Sequence, residues 1–166
     1  MTTLLPRLRA AIPARDLALT LTLTLTLTLT LTLTLTLTFA SQSAAAAELV
    51  VIVSAKSPVA ALRADQVADI FLGHVGTFPG GTEAVALDQR LGSPERDEFY
   101  AKVASKTPPL VKAYWTKLIF TGRGQPPKEV AGSAAVRKMV ADNPALIGYI
   151  DKSALDASVR AVLVVR

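Results

Sequence analysis

Two different patterns of apolar and polar residues divide the chain. Over residues 19–38 leucine and threonine alternate without interruption, whereas from Leu49 onward short apolar runs alternate with segments of helical spacing. Strict alternation normally predicts a half-buried strand. A repeat this regular, however, is typical of a recently expanded short coding repeat, and it carries little information about the fold.

The first 47 residues have the order of a secretory signal peptide. Arginines precede an apolar segment at 17–40, and a small-residue site with Ala45 and Ala47 follows. This order predicts export, with cleavage after Ala47 and a periplasmic location for the rest of the chain. The alternative is a retained membrane anchor, because 17–40 is long enough to span a bilayer. Its threonines weaken that alternative, and we expect no stable membrane span after cleavage.

Residues 48–166 are predicted to form one α/β domain. Four short apolar runs read as strands, at 49–53, 84–87, 147–150 and 161–165. Helical spacing is found in 62–73, in segments that open at Pro94 and Pro108, and in 129–142. Strands that alternate with helices in this way favour a small, mainly parallel sheet with flanking helices.

The junction between the second strand and the helix that follows it is a candidate anion site. Ser93 is suited to be the helix N-cap, and Pro94 to be the first helical residue. A helix that starts above the end of a strand directs free N–H groups and the positive end of its dipole at that point. The alternative is that Ser93 and Pro94 simply start a helix.

Composition excludes several kinds of chemistry. The chain has no cysteine, which rules out disulfides, thiol catalysis, zinc thiolate sites and a lipid-modified cysteine. Its net charge of +5 is spread without a basic run, so it suits a small anionic ligand better than nucleic acid. His74 is the single histidine and has no acidic cluster near it in sequence. We therefore expect no enzyme activity, no metal and no cofactor.

Three stretches resemble motifs of phosphate-type periplasmic substrate-binding proteins, in the same order. Residues 62–73 are similar to the family's "IFxG" helix, Asp88 followed by Gly92 and Ser93 is placed like its phosphate loop, and residues 145–150 resemble its "IGY" strand. The resemblance implies a type 2 periplasmic-binding fold, in which two α/β lobes close on a ligand. With only 49–58 before the first motif, one lobe is expected to be largely intact and the other reduced.

The phosphate loop departs from the family pattern at most positions. Aligning Gly92 and Ser93 on the family's Gly-Ser pair places Gln89 at its arginine and Leu91 at its aspartate. Ser93 remains as a ligand contact, and two arginines can supply a shifted cation, because guanidinium pairs well with oxyanions. The candidate ligand-binding residues are Asp88, Gln89, Arg90, Ser93 and Arg96.

The resemblance implies an exported solute-binding protein of a phosphate-type ABC uptake system that binds a small oxyanion. Its partners would be the anion and an ABC permease or another envelope protein. The alternative is an accessory or interaction module of the cell envelope that has lost ligand binding, because the phosphate loop is largely replaced.

Overall fold

The computed structural model describes residues 48–166, and the predicted signal peptide lies outside these described residues. Its strands are β1 (Leu49–Ser54), β2 (Val85–Gln89), β3 (Lys128–Val130), β4 (Leu146–Asp151) and β5 (Val159–Val164). Its helices are α1 (Ala64–Phe71), α2 (Pro94–Ala104), α3 (Pro108–Phe120) and α4 (Ser133–Asp142), with a short 3-10 turn at Lys152–Ala154. The α/β class expected from the sequence is confirmed.

The five strands form one sheet in the order β3-β2-β4-β1-β5. β2 runs parallel to β3 and to β4, as expected. β1 is antiparallel to both of its neighbours, β4 and β5. β2, β3, β4 and β5 therefore run in one direction and β1 alone is reversed, so the mainly parallel sheet is confirmed with one antiparallel strand at β1. A strand buried on both faces gives the same continuous apolar run in either orientation, so the sequence pattern could not show the direction of β1.

β1 separates two apolar cores. All six of its residues are buried. Leu49, Val51 and Val53 pack with α1, α2 and α3 on one face of the sheet, while Val50 and Ile52 pack with α4 on the other. Successive side chains of a strand point to opposite faces. The apolar run of β1 thus supplies the centre of a three-layer arrangement.

The predicted helix over 129–142 is wrong in its first part. Lys128–Val130 is instead strand β3, and Val130 lies opposite Gln89 in the parallel pairing with β2. The helix begins only at Ser133, after Gly132, which has a φ of 102°. A three-residue segment that contains glutamate and valine can form either a helix or a strand, so the pairing with β2 determines that residues 128–130 form a strand.

Other local expectations are confirmed. Val67, Ile70 and Phe71 are the buried face of α1. Gly73 ends this helix in the left-handed region, with a φ of 69°, and the amide of His74 reaches back to the Asp69 carbonyl at 2.9 Å. This pair of features is a common helix C-terminus, where glycine avoids the strain of a positive φ.

Gly148→Ala should destabilise the domain, because a Cβ at Gly148 would lie 2.4 Å from Cγ1 of Val136 on α4. Overpacking of this kind costs ~1–3 kcal/mol. Gly76→Ala is the matched control, since a Cβ there meets nothing within 4 Å. Urea unfolding of the two variants measures the difference, and equal midpoints would contradict the packing of β4 against α4.

Candidate functional site

A buried carboxylate lies at the end of β2. Asp88 is 1% exposed and faces the start of α2. Its Oδ2 accepts hydrogen bonds from Arg96 Nε at 2.8 Å and from the Tyr100 hydroxyl at 3.0 Å. Its Oδ1 accepts from the Tyr149 hydroxyl and, at 2.9 Å, from the backbone N–H of Gln89. The carboxylate is thus surrounded by donors, as a buried charge requires.

The charges in this network support one another. Burial disfavours the charged guanidinium of Arg96, but the Asp88 carboxylate outweighs it, so the pKa of Arg96 is raised. Burial first and the Asp88 charge second raise the pKa of Tyr100 and that of Tyr149 above their usual values. Both hydroxyls therefore keep their protons and act as donors.

Gln89 connects β2 to its surroundings. Its side-chain Nε2 donates to the Tyr149 carbonyl at 3.0 Å and approaches Ser133 Oγ at 3.4 Å. The Ser133 hydroxyl also accepts from the Asp151 amide at 3.0 Å. The ring of Phe99 on α2 stacks on that of Tyr149, with centroids 4.0 Å apart. Polar and aromatic contacts together fix α2 against β2 and β4.

The outer part of the junction is exposed. Ser93 is the N-cap of α2, as predicted, and its Oγ accepts the Arg96 amide at 3.3 Å. Its hydroxyl proton can still be donated, because a hydroxyl both accepts and donates. Pro94 offers no N–H, which leaves the Glu95 amide as the first backbone donor of the helix. Arg90 is exposed one residue after β2.

Arg96 connects the buried and exposed parts of the junction. Its Nε is bonded to Asp88, while its two Nη groups make no hydrogen bond within residues 48–166. The guanidinium lies over the Tyr100 ring, 5.1 Å from the centroid. A guanidinium has five N–H donors, so this residue can bind Asp88 and an anion together.

The structure separates the five predicted site residues into two groups. Asp88, Gln89 and Arg96 are buried, and Gln89 and Arg96 both donate hydrogen bonds to the Asp88 carboxylate. Arg90 and Ser93 lie nearer the surface. The sequence-based search missed the two tyrosines of the network. Arg96 and Tyr100 are four residues apart, and this spacing puts them on the same face of a helix.

A carboxylate from a neighbouring strand contacts the same loop. Glu129 on β3 accepts the backbone N–H of Leu91 through Oε2 at 3.3 Å. Sequence gave no signal for this contact, because residues 128–130 were expected to be helical. The loop amide thus already binds an oxyanion group of the protein itself.

Four surface clefts of about 320 to 490 Å³ lie elsewhere on the described residues. One of about 390 Å³ lies between Trp115, Gly73 and Lys128. None of these four is lined by Ser93 or Arg90.

Neither a metal-binding cluster nor a membrane-spanning helix is found in residues 48–166. Within residues 48–166 no group of three or more His, Asp or Glu side chains converges. His74 pairs with Asp69 alone, at 3.0 Å and in an exposed position. No helix in this part of the chain has the length and apolar character needed to cross a membrane.

Solved structures with a similar fold are phosphate-transport binding proteins. A protein of Clostridium perfringens described as a phosphate ABC transporter substrate-binding protein, solved with bound phosphate, is 28% identical with a TM-score of 0.55. An ABC-type phosphate transport receptor of Vibrio cholerae is 17% identical with a TM-score of 0.55, and PstS of Borrelia burgdorferi is 13% identical with a TM-score of 0.51. The fold is thus that of phosphate-type periplasmic binding proteins.

Each match covers 69% of this chain but only 44–46% of the neighbour. The chain therefore spans less than half the length of these proteins, in keeping with one largely intact lobe. No family profile and no characterised protein sequence matches the chain.

Asp88→Ala should be strongly destabilising, because it leaves Arg96 buried without its carboxylate. Breaking a buried pair in this way costs ~3–5 kcal/mol. Asp97→Ala on the same helix is the control, since Asp97 is only partly buried and makes no ion pair within the described residues. Urea unfolding should separate the two variants, and similar stabilities would show that the buried pair contributes little.

Alkaline pH should weaken the fold. The raised pKa values of Tyr100 and Tyr149 mean that the folded chain retains protons that the unfolded chain loses near pH 10.0. Their stabilisation is complete below this pH and falls above it, by ~1.4 kcal/mol per pH unit for each tyrosine. Tyrosinate absorbance in the folded protein should show Tyr114 ionising first. Ionisation of all three tyrosines near pH 10.0 without unfolding would contradict this prediction.

Proposed function

We propose that the domain is a solute-binding module that binds a small oxyanion at the β2–α2 junction. It would belong to an exported phosphate-type uptake system, act in the periplasm and deliver its anion to an ABC permease. The observation that carries the proposal is the Arg96 side chain in the first turn of α2, which is held by Asp88 through Nε and whose two Nη groups make no hydrogen bond within residues 48–166.

Three donors support an anion at this place. The Nη groups of Arg96 and the Ser93 hydroxyl are fixed by their bonds to Asp88 and to the start of the helix. The exposed side chain of Arg90 adds a second positive charge. Charge-assisted hydrogen bonds are stronger than neutral ones, and fixed donors lose little entropy on binding. The similarity to a Clostridium perfringens protein solved with phosphate favours the same class of ligand.

Two carboxylates limit the affinity. Glu95 lies two residues after the N-cap Ser93, and Glu129 already accepts the Leu91 amide. An incoming dianion would have to displace Glu129 or bind beside it, and either arrangement includes repulsion between like charges. We therefore expect weak binding of phosphate, and Glu129→Gln should strengthen it.

Isothermal titration with inorganic phosphate and with sulfate tests the proposal. The wild-type chain should bind at least one of them, and Arg90→Gln should weaken binding about tenfold or more, because a hydrogen bond to a charged group is worth ~1.5–3 kcal/mol. Lys138→Gln is the matched control, since Lys138 is an exposed cation on α4, a helix that packs on the opposite face of the sheet.

Two substitutions of Ser93 separate binding from helix capping. Asn and Asp are both good N-cap residues, so Ser93→Asn and Ser93→Asp should leave the stability nearly unchanged. Ser93→Asp places a negative charge at the site and should abolish anion binding, whereas Ser93→Asn should retain part of it. Absence of heat at millimolar phosphate and sulfate with the wild-type chain would overturn the proposal and favour an envelope interaction module.

A further inference from the structure

One helix face has no partner among the described residues. Apolar residues occur all around α3, and only Val111 and Trp115 are fully buried. Leu110 is 56%, Ile119 53% and Phe120 86% exposed. Ile119 and Phe120 are adjacent at the C-terminal end of the helix, whereas Leu110 lies on the opposite flank from Ile119, because nine residues span two and a half turns. The outer face of α3 is the exposed surface around Phe120, and its apolar end, formed by Ile119 and Phe120, has the composition of a contact surface.

The same face is strongly positive. The sequence contains no Asp or Glu between Phe99 and Lys128. Lys112, Lys117 and Arg123 make no ion pair within residues 48–166. At 3.6 residues per turn, Lys112 and Lys117 lie on either side of Phe120. Ile119 and Phe120, at the C-terminal end of α3, form an apolar tip with Lys112 and Lys117 beside it. Such a tip is complementary to a surface that carries negative charge outside and is apolar within.

The tip is rigid. The amide of Gly122 donates to the Ile119 carbonyl at 3.1 Å, and that of Arg123 donates to the Leu118 carbonyl at 2.9 Å. These two bonds close the helix in a Schellman motif, for which Gly122 supplies a φ of 65°. Ile119 and Arg123 line a cleft of about 360 Å³.

We propose that the outer face of α3 docks on an anionic lipid bilayer, with Phe120 and Ile119 inserted among the lipids and the cations at the headgroups. Phe120 protrudes, and a bilayer accepts a protruding apolar side chain without a preformed pocket. Lysine and arginine add attraction to anionic lipids and extend their charges to the headgroups. A second copy of the chain fits poorly, because a symmetric contact would place the cations of two copies together.

The absence of cysteine from the chain allows one reporter to be placed at a time. Ala113→Cys, labelled with an environment-sensitive fluorophore, reports from the exposed face of α3 and leaves Phe120 in place. Ala134→Cys on α4 is the matched control, since α4 packs on the opposite face of the sheet. Because the reporter is specific to one position, the full chain can be used even if residues 1–47 bind lipid.

Vesicles of phosphatidylcholine with phosphatidylglycerol should shift the emission of the label at position 113 to the blue, and added salt should reverse the shift. Phosphatidylcholine alone should give little change, and the label at position 134 should not respond. In the Ala113→Cys background, Lys117→Gln should weaken binding about fivefold. Phe120→Ser should weaken it about tenfold or more, because it removes the inserted ring.

Any one of several results would overturn the proposal. The first is the failure of the labels to distinguish the two positions, through either no response at position 113 or an equal response at position 134. The second is a response to polyglutamate in place of vesicles, which would assign the surface to an acidic protein. The third is the same response to inorganic phosphate alone. Urea unfolding of each labelled variant confirms that it is folded, and titration with phosphate separates failure here from failure of anion binding at Ser93.

Discussion

The buried carboxylate of Asp88 constrains the largest part of this domain. An ionised group with 1% exposure is tolerated only if donors surround it, and here they come from α2, from β4 and from the backbone of β2. Because Arg96 and Tyr100 must both reach Asp88, the rotation and distance of α2 relative to the sheet are fixed. The position of Ser93 and of the exposed junction follows from this arrangement.

Because the position of α2 depends on Asp88, the candidate site has two parts with different roles. The inner part, Asp88 with the two tyrosines, holds Arg96 in place and contributes to stability. The outer part, Ser93 and Arg90, makes few side-chain hydrogen bonds within residues 48–166, which suits the proposed contact with a solute. Arg96 belongs to both. A substitution in the inner part would thus reduce the proposed anion binding by loosening Arg96, even though the substituted residue would not contact the anion.

Sequence patterns were informative where one local rule decides the structure. Three features each depend on residues close in sequence: the N-cap at Ser93, the end of α1 at Gly73 and the burial of β1 on both faces of the sheet. Sequence patterns failed where a contact between residues far apart in the chain decides the structure. Residues 128–130 join the sheet because β2 lies beside them, and the direction of β1 depends on where β4 and β5 are placed. The hydrogen-bond network around Asp88 was not predicted for the same reason, since Tyr149 lies 61 residues from Asp88 in the sequence.

The central place of β1 has a consequence for how the domain can assemble. This strand comes first in the described chain, yet both of its neighbours, β4 and β5, begin only at Leu146 and Val159. Closing so long a loop costs entropy before any pairing can offset it, and folds rich in such distant contacts form slowly. A nascent chain cannot complete this sheet until residues 159–164, which form β5, have been synthesised. Such a delay would suit the proposed export, because a translocation channel requires a polypeptide that has not yet folded.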